Sequence, residues 1–175
     1  MTLAQAKRIV RFLLDAEVYF QYEHKLNTFF DLGQKRIACT TDFIQTEREL
    51  TVAQKQEVDL VAMDPLFYRL KRVEGGAFEK LSATRIELAA GDYRLIYERY
   101  PHTIDSETED HHLFEISEFA QTALPYFVAA QITAMEHDLR YHQLYQDEFA
   151  AILENVAAAR KAGNLHLVST AGWCK

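Results

Sequence analysis

The sequence predicts an α+β protein, mainly α. We expect a four-helix core of two helical hairpins, with a small antiparallel β-sheet inserted between them and an extended C-terminal tail. Three observations lead there. Apolar residues recur every three or four positions near both ends of the chain, the period of a helix with one buried face. Between about residues 47 and 100 the pattern changes to short alternating runs bounded by glycine, the period of strands. The length of 175 residues suits one domain, and a chain of that size buries roughly 70% of its unfolded surface without a disulfide or a metal. The expected organisation is a single helical domain over residues 1–163 carrying the β insertion, then a tail over 164–175.

Leu3, Ala6, Val10 and Leu13 share one helical face, so residues 3–15 form the first helix. A longer helix is expected over about 18–40, with Leu26, Phe30, Gly33 and Ile37 as its stripe. Glycine inside a helix costs about 1 kcal/mol relative to alanine, so Gly33 implies a packing reason such as the close approach of another helix. The aromatic set Tyr19, Phe20, Tyr22, Phe29 and Phe30 is assigned to core packing, because an acidic domain makes base stacking the weaker reading.

In the middle, residues 49–52 and 57–61 read as short strands, and Leu66–Val73 as a third that ends at Gly75-Gly76. Residues 85–88 and 93–100 flank Ala89-Ala90-Gly91-Asp92, a spacing that predicts a hairpin. Residues 102–118 are expected to be a loop; they hold Asp105, Glu107, Glu109, Asp110, Glu115 and Glu118 and no lysine or arginine.

Helical period returns with Phe119, Ala123, Phe127, Ala130 and Ala134. Pro125 falls inside that stripe. It lacks an N–H and clashes one turn back, so it either starts the second half of the helix or kinks it. Tyr141, Tyr145, Phe149, Ile152 and Val156 mark a last helix, with Gly163-Asn164 as its expected stop.

The net charge of -7 argues against a general nucleic-acid binder. It is compatible with a channel through which DNA slides, because such a surface repels phosphates. Cys39 and Cys174 form neither a disulfide framework nor a CxxC metal pair and read as reduced thiols. The first residues lack the apolar core of a signal peptide, and no run approaches the ~18 apolar residues of a membrane span. The expectation is an intracellular protein without a membrane partner.

Two constellations invite chemistry. His111 and His112, with Glu109 and Glu115, contain the residue types of a metal site, but in a loop and without a second Glu-x-x-His pair. Glu136, His137 and His142, with Asp138, contain the types of an acid–base site, but at a helix–helix turn where solvent and helix ends select charge. No phosphate loop, GxSxG elbow or HExxH is present. Both constellations are therefore read as structural, with a small helical metal- or acid/base-dependent enzyme as the alternative. Two further features point to an interaction protein. Arg69, Lys71 and Arg72 form the densest basic cluster, either a solvated strand or a docking surface for an acidic partner. The tail holds Leu165, Leu167, Val168 and Trp173 and no acid, which suits it to adding a strand to a partner or filling a pocket.

The order of these parts resembles the head–tail connector, or adaptor, proteins of tailed bacteriophages. The resemblance is carried by the strand Tyr68-Arg69-Leu70-Lys71-Arg72-Val73, by Tyr97-Glu98-Arg99-Tyr100-Pro101, and by Leu124-Pro125-Tyr126-Phe127-Val128-Ala129-Ala130 followed by Glu136, Asp138 and Tyr145. It covers roughly residues 3–160; the 17–45 segment and the tail depart from it. The resemblance implies a structural virion protein, not an enzyme, with no cofactor and no catalytic or metal residues. Such a protein forms a ring, dodecameric in the family pattern, under the portal. It extends the DNA channel and offers a platform for the next neck or tail protein. The implied partners are the portal, neighbouring copies and that next protein, with DNA passing unbound. The implied place is the virion neck, and the host cytoplasm during assembly. Leu165, Leu167, Val168, Trp173, Arg69, Lys71 and Arg72 would then meet the portal or a neighbouring subunit, and Asp105, Glu107, Glu109 and Asp110 would face the channel or a neighbour. A later neck or tail-completion protein of similar shape is the other structural reading.

Overall fold

In the computed structural model the protein is mixed α/β, about half helical, with two small antiparallel sheets. Residues 1–170 are described, with side chains to residue 162. The chain divides into two compact units: Met1–Asp42 together with the chain from Thr103 onward, and Phe43–His102.

The first unit holds the long helices. Helix α1 (Leu3–Leu13) is started by a capping box: the Gln5 N–H donates to the Thr2 hydroxyl at 3.2 Å, and the Thr2 N–H donates to the Gln5 side chain at 2.8 Å. It buries Leu3, Ala6 and Val10, the face its spacing predicts. The expected single helix over 18–40 is instead α2 (Ala16–Tyr22), a 3-10 turn (Glu23–Lys25) and α3 (Leu26–Thr40). The tightened turn keeps the buried stripe in phase, so Tyr19, Tyr22, Leu26, Phe30 and Ile37 all point inward. Phe20, expected in the core, is 54% exposed. An added Cβ at Gly33 would lie 2.9 Å from Phe127 Cδ1 and 3.1 Å from Leu124 Cδ2, so the helix–helix approach implied by that glycine is real.

Pro125 resolves the second apolar stripe into two helices, α5 (Glu118–Gln121) and α6 (Leu124–Met135), and sits in the first turn of α6 where its missing N–H costs nothing. The break shifts the phase, so Phe119 is 52% exposed rather than on the core stripe. Helix α6 packs against α1, α3 and α7 (Leu139–Thr170), and Ala123, Ala129 and Ala130 let those helices close in. Helix α7 buries Tyr145, Phe149 and Val156. It continues through Gly163-Asn164 to Thr170, so the expected stop and the start of an extended tail there are corrected. One glycine costs about 1 kcal/mol, which the helix-forming alanines before it outweigh. The side chains of Leu165, Leu167 and Val168, and the whole of Trp173, lie outside the described residues.

The second unit is built from β1 (Ile44–Val52), β2 (Gln56–Asp59), the single turn α4 (Leu60–Met63), β3 (Phe67–Gly75), β4 (Phe78–Lys80), β5 (Arg85–Leu88) and β6 (Gly91–Arg99). One antiparallel sheet has the order β1-β6-β3 and the other β2-β5-β4. The links 53–55, 76–77 and 89–90 therefore carry the chain from one sheet into the other. The predicted hairpin across Ala89-Ala90-Gly91-Asp92 is a corner instead: β5 pairs with β2 and β4, and β6 with β1 and β3. Gly75 makes one corner possible. Its φ of +118° disfavours a side chain, and a Cβ there would meet the Asp92 carbonyl oxygen at 2.2 Å. The Tyr93 hydroxyl lies 2.8 Å from the Ala77 carbonyl and 3.1 Å from that of Ala89, joining two corners. The bent sheets enclose a core of Val52, Leu60, Phe67, Ile86, Leu88, Tyr93, Leu95 and Tyr97.

Candidate functional site

The basic cluster is organised by a residue that sequence reasoning passes over. Glu98 on β6 stands opposite Arg69 on β3 and is only 3% exposed. Arg69 donates to its Oε2 through Nε at 2.9 Å and Nη2 at 2.7 Å, while Lys71 Nζ lies 3.0 Å from Oε1. The Arg69 guanidinium also stacks 5.3 Å from the Phe43 ring centre and 5.8 Å from that of Tyr68. Arg72 pairs with Glu74 at 3.2 Å. The cluster is thus an ion-paired surface, with Arg69 and Lys71 about half exposed and Arg72 more so, neither a bare basic patch nor merely solvated. The signal available in the sequence was Glu98 itself, an acid in an apolar-alternating strand.

The acidic segment 102–118 is a strap, not an open loop. Ile104, Phe114 and Ile116 are buried, and the Leu3 and Ala4 N–H groups donate to the His112 and Asp110 carbonyls, each at 2.9 Å. The Ile104 N–H donates to the buried Asp31 at 3.0 Å, and the Ser117 N–H to the buried Asp42 at 2.5 Å. Asp105 accepts from the Thr108 hydroxyl and the Glu107 N–H, both at 3.0 Å, and these bonds hold its carboxyl below the ordinary range. Asp110 pairs with Lys7 at 2.8 Å, and Glu109 approaches His111 Nδ1 at 3.0 Å. Asp105, Glu107, Glu109 and Asp110 remain exposed on this strap.

Neither chemical constellation assembles. Among the described residues no three His, Cys, Asp or Glu side chains are grouped to hold a metal ion. His142 Nδ1 bonds the Ala130 carbonyl at 2.8 Å. Glu136 accepts from the Tyr22 hydroxyl at 2.5 Å, a bond that is the first cause of the raised Tyr22 pKa. His137 has a φ of +58°. Its N–H donates to the Ala134 carbonyl at 3.2 Å, and the Asp138 N–H to that of Thr133 at 2.9 Å. That pair is a Schellman closure of α6, with His137 in the left-handed place usually taken by glycine. The role of His137 is conformational.

A cavity of about 160 Å³ does open beside this turn, lined by Leu14, Asp15, Thr133, Glu136, Tyr141 and Tyr145 among others. The Tyr145 hydroxyl donates to the Leu13 carbonyl, and its pKa is raised first by burial and then by Tyr141, Asp138 and Asp15. Three carboxylates and two tyrosines are adequate to receive a cationic side chain but hold no nucleophile–base pair.

The surface of the helical unit is the other notable feature. Ile9, Phe12, Phe119, Leu139, Tyr141 and Leu144 are large apolar side chains left exposed. Among the described residues no helix is long and apolar enough to cross a membrane. Compared with protein-family models this chain matches none, and compared with curated proteins it likewise matches none.

Proposed function

We propose that this protein is a head–tail adaptor of a tailed bacteriophage: a structural, non-catalytic component that forms a ring under the portal, extends the DNA channel and presents a platform to the next neck or tail protein. The finer architecture belongs to the same proposal, a four-helix core with the β unit as its insertion. The observation that carries the reading is α6. The segment Leu124–Ala130 that bears the resemblance is the buried centre of the helical unit, started by Pro125 and packed on three helices through alanines. The polar groups that would serve an enzyme are spent on structure instead: Glu136 on Tyr22, His142 on a carbonyl and His137 on a helix cap. Large exposed apolar side chains suit a protein that works by contact. The net charge of -7 suits a channel wall that does not retain phosphates.

Native mass spectrometry and co-sedimentation with purified portal rings test this. The expected result is a ring of this protein on the portal. Binding only to an already completed neck would move the assignment to a later neck layer. Binding to neither would overturn it.

A further inference from the structure

We propose that the cavity between the α1–α2 and α6–α7 turns is a socket for one guanidinium group on a short apolar stem, the chemistry of an arginine side chain or of a free alkylguanidine. The inference goes beyond the adaptor reading and does not draw on it.

Two turns make the socket. Helix α1 ends at Leu13 and α2 starts at Ala16, while α6 ends at Met135 and α7 starts at Leu139. The connecting residues Asp15, Glu136 and Asp138 line the cavity. Leu14, Thr133 and Tyr145 form its buried side, and Asp15, Glu136 and Tyr141 are exposed at its rim. Its volume of about 160 Å³ lies below the roughly 300–1,000 Å³ of pockets that enclose drug-sized molecules, so it fits one side-chain-sized group.

The lining calls for a guest rich in hydrogen-bond donors. Both buried hydroxyls commit their protons to backbone: Thr133 donates to the Ala129 carbonyl at 2.9 Å, and Tyr145 to that of Leu13. Asp15 stands at the N-cap of α2 yet makes no capping bond. Glu136 accepts from Tyr22 and Gln21 through Oε1, and Asp138 accepts from the Tyr141 N–H through Oδ1 at 3.2 Å. Among the described residues, Glu136 Oε2, Asp138 Oδ2 and both carboxylate oxygens of Asp15 accept no hydrogen bond.

The charge of the guest follows. No lysine, arginine or histidine lines the cavity. His137 and Arg140 adjoin the acids in sequence, but neither is part of the lining. Arg11 of α1 is stacked instead on Phe20, 5.2 Å from its ring centre, and 6.0 Å from that of Tyr19. Asp138 and Asp15 are among the groups that raise the Tyr145 phenol, after burial and Tyr141. The negative field that holds this proton also favours a cation. The aromatic wall selects its shape. The Tyr141 and Tyr145 rings stack with centres 6.1 Å apart at 27°. Tyrosine faces attract cations, and a guanidinium is planar, weakly hydrated and able to divide five donors among separate carboxylates. Leu14 and Val18 suit the methylene stem that carries it.

NMR titration of the full chain with butylguanidinium at physiological salt tests this. The expected result is a set of saturable shifts confined to Asp15, Val18, Thr133, Tyr141 and Tyr145, with a Kd on the order of 1 mM. Butylurea, of the same shape but uncharged, should bind on the order of tenfold more weakly. Asp15→Asn removes a carboxylate that makes no hydrogen bond within the fold, and should weaken binding roughly two- to fivefold at an unchanged melting temperature. Tyr141→Leu should have an effect of similar size. N-acetylarginine methylamide separates the sources. Binding as tight as that of butylguanidinium supports an arginine reaching in from a partner protein, and binding of butylguanidinium alone supports a free small cation. Equal binding of butylurea would overturn the proposal by reducing the cavity to an apolar hole, and that comparison needs no variant. Shifts that spread to the acidic strap and persist unchanged in Asp15→Asn would overturn it too, as would the absence of shifts at the lining residues.

Discussion

At the scale of single residues, the histidine that looks most chemical is the one whose backbone explains it. His137 sits at φ +58° and closes α6 through its own N–H and that of Asp138. The left-handed conformation costs an L-residue about 1–2 kcal/mol, which glycine escapes. His137→Gly is therefore expected to raise stability by about 0.5–1 kcal/mol, measured as a higher urea midpoint at unchanged slope. A loss of stability would mean that the imidazole itself makes a contact worth more than the strain. Glu98 teaches the opposite lesson. The sequence shows three cations on β3 and leaves open which acid answers them. Only the register, which puts Arg69 opposite Glu98, identifies it. Charge pairs across strands depend on pairing, and pairing is not written in either strand alone. The candidate surface on β3 was thus legible as a basic cluster, while its organising carboxylate was not.

At the scale of elements, what was readable is what depends on local period. Leu3, Ala6 and Val10 fix the inward face of α1, and Gly33 signals the approach of α6. What failed depends on phase or partner. Phe119 is off the stripe because the chain breaks between α5 and α6, which shifts every later residue around the axis. Ala89-Ala90-Gly91-Asp92 has the spacing of a hairpin, yet β5 and β6 lie in different sheets. A corner and a turn ask for the same small residues, so composition does not separate them. Gly163-Asn164 has the form of a stop, and the helix passes through it. The corner reading makes its own prediction at Gly75. A methyl group there would meet the Asp92 carbonyl at 2.2 Å in a backbone at φ +118°. Gly75→Ala is expected to cost about 2–4 kcal/mol and to lower the melting temperature of the β unit. An unchanged melting temperature would show that the corner shifts freely and that Gly75 does not define it.

At the scale of the whole molecule, the buried tyrosines set an alkaline limit. Burial is the first cause that raises the phenols of Tyr19, Tyr97 and Tyr145 above the ordinary value of 10.0, and the bond to Glu136 does the same for Tyr22. Below about pH 10 these groups are protonated in both states and their stabilisation is fully present. Above it the unfolded chain ionises first while the folded chain keeps its protons. The unfolded state then binds fewer protons, and stability falls as pH rises through the folded values. Each tyrosine contributes at most about 1.4 kcal/mol per pH unit to that fall. Thermal melts between pH 9 and 11 should show the decline, and Tyr145→Phe should make it shallower. A melting temperature flat over that range would show that the phenols ionise alike in both states.

The division into two units carries a last prediction at the same scale. Residues 43–102 contain the six strands found among the described residues and a core of their own from Val52 to Tyr97. Its pairings are antiparallel throughout, and the corners are held from within by Tyr93 and Gly75. Nothing in that list requires the helices. A chain of about 60 residues buries only about 60% of its unfolded surface, so its stability alone should be no more than about 3–5 kcal/mol. The excised 43–102 fragment is therefore expected to fold to the same bent sheets and to unfold cooperatively, at a lower midpoint than the β unit within the full chain. Dispersed amide resonances, with cross-strand contacts between Thr46 and Tyr97 and between Val58 and Ile86, would establish it, because those pairs stand opposite in the two separate sheets. Contacts of the first kind without the second would show that the smaller sheet draws its order from outside the unit. A collapsed amide spectrum would mean that the unit is no independent folding body at all.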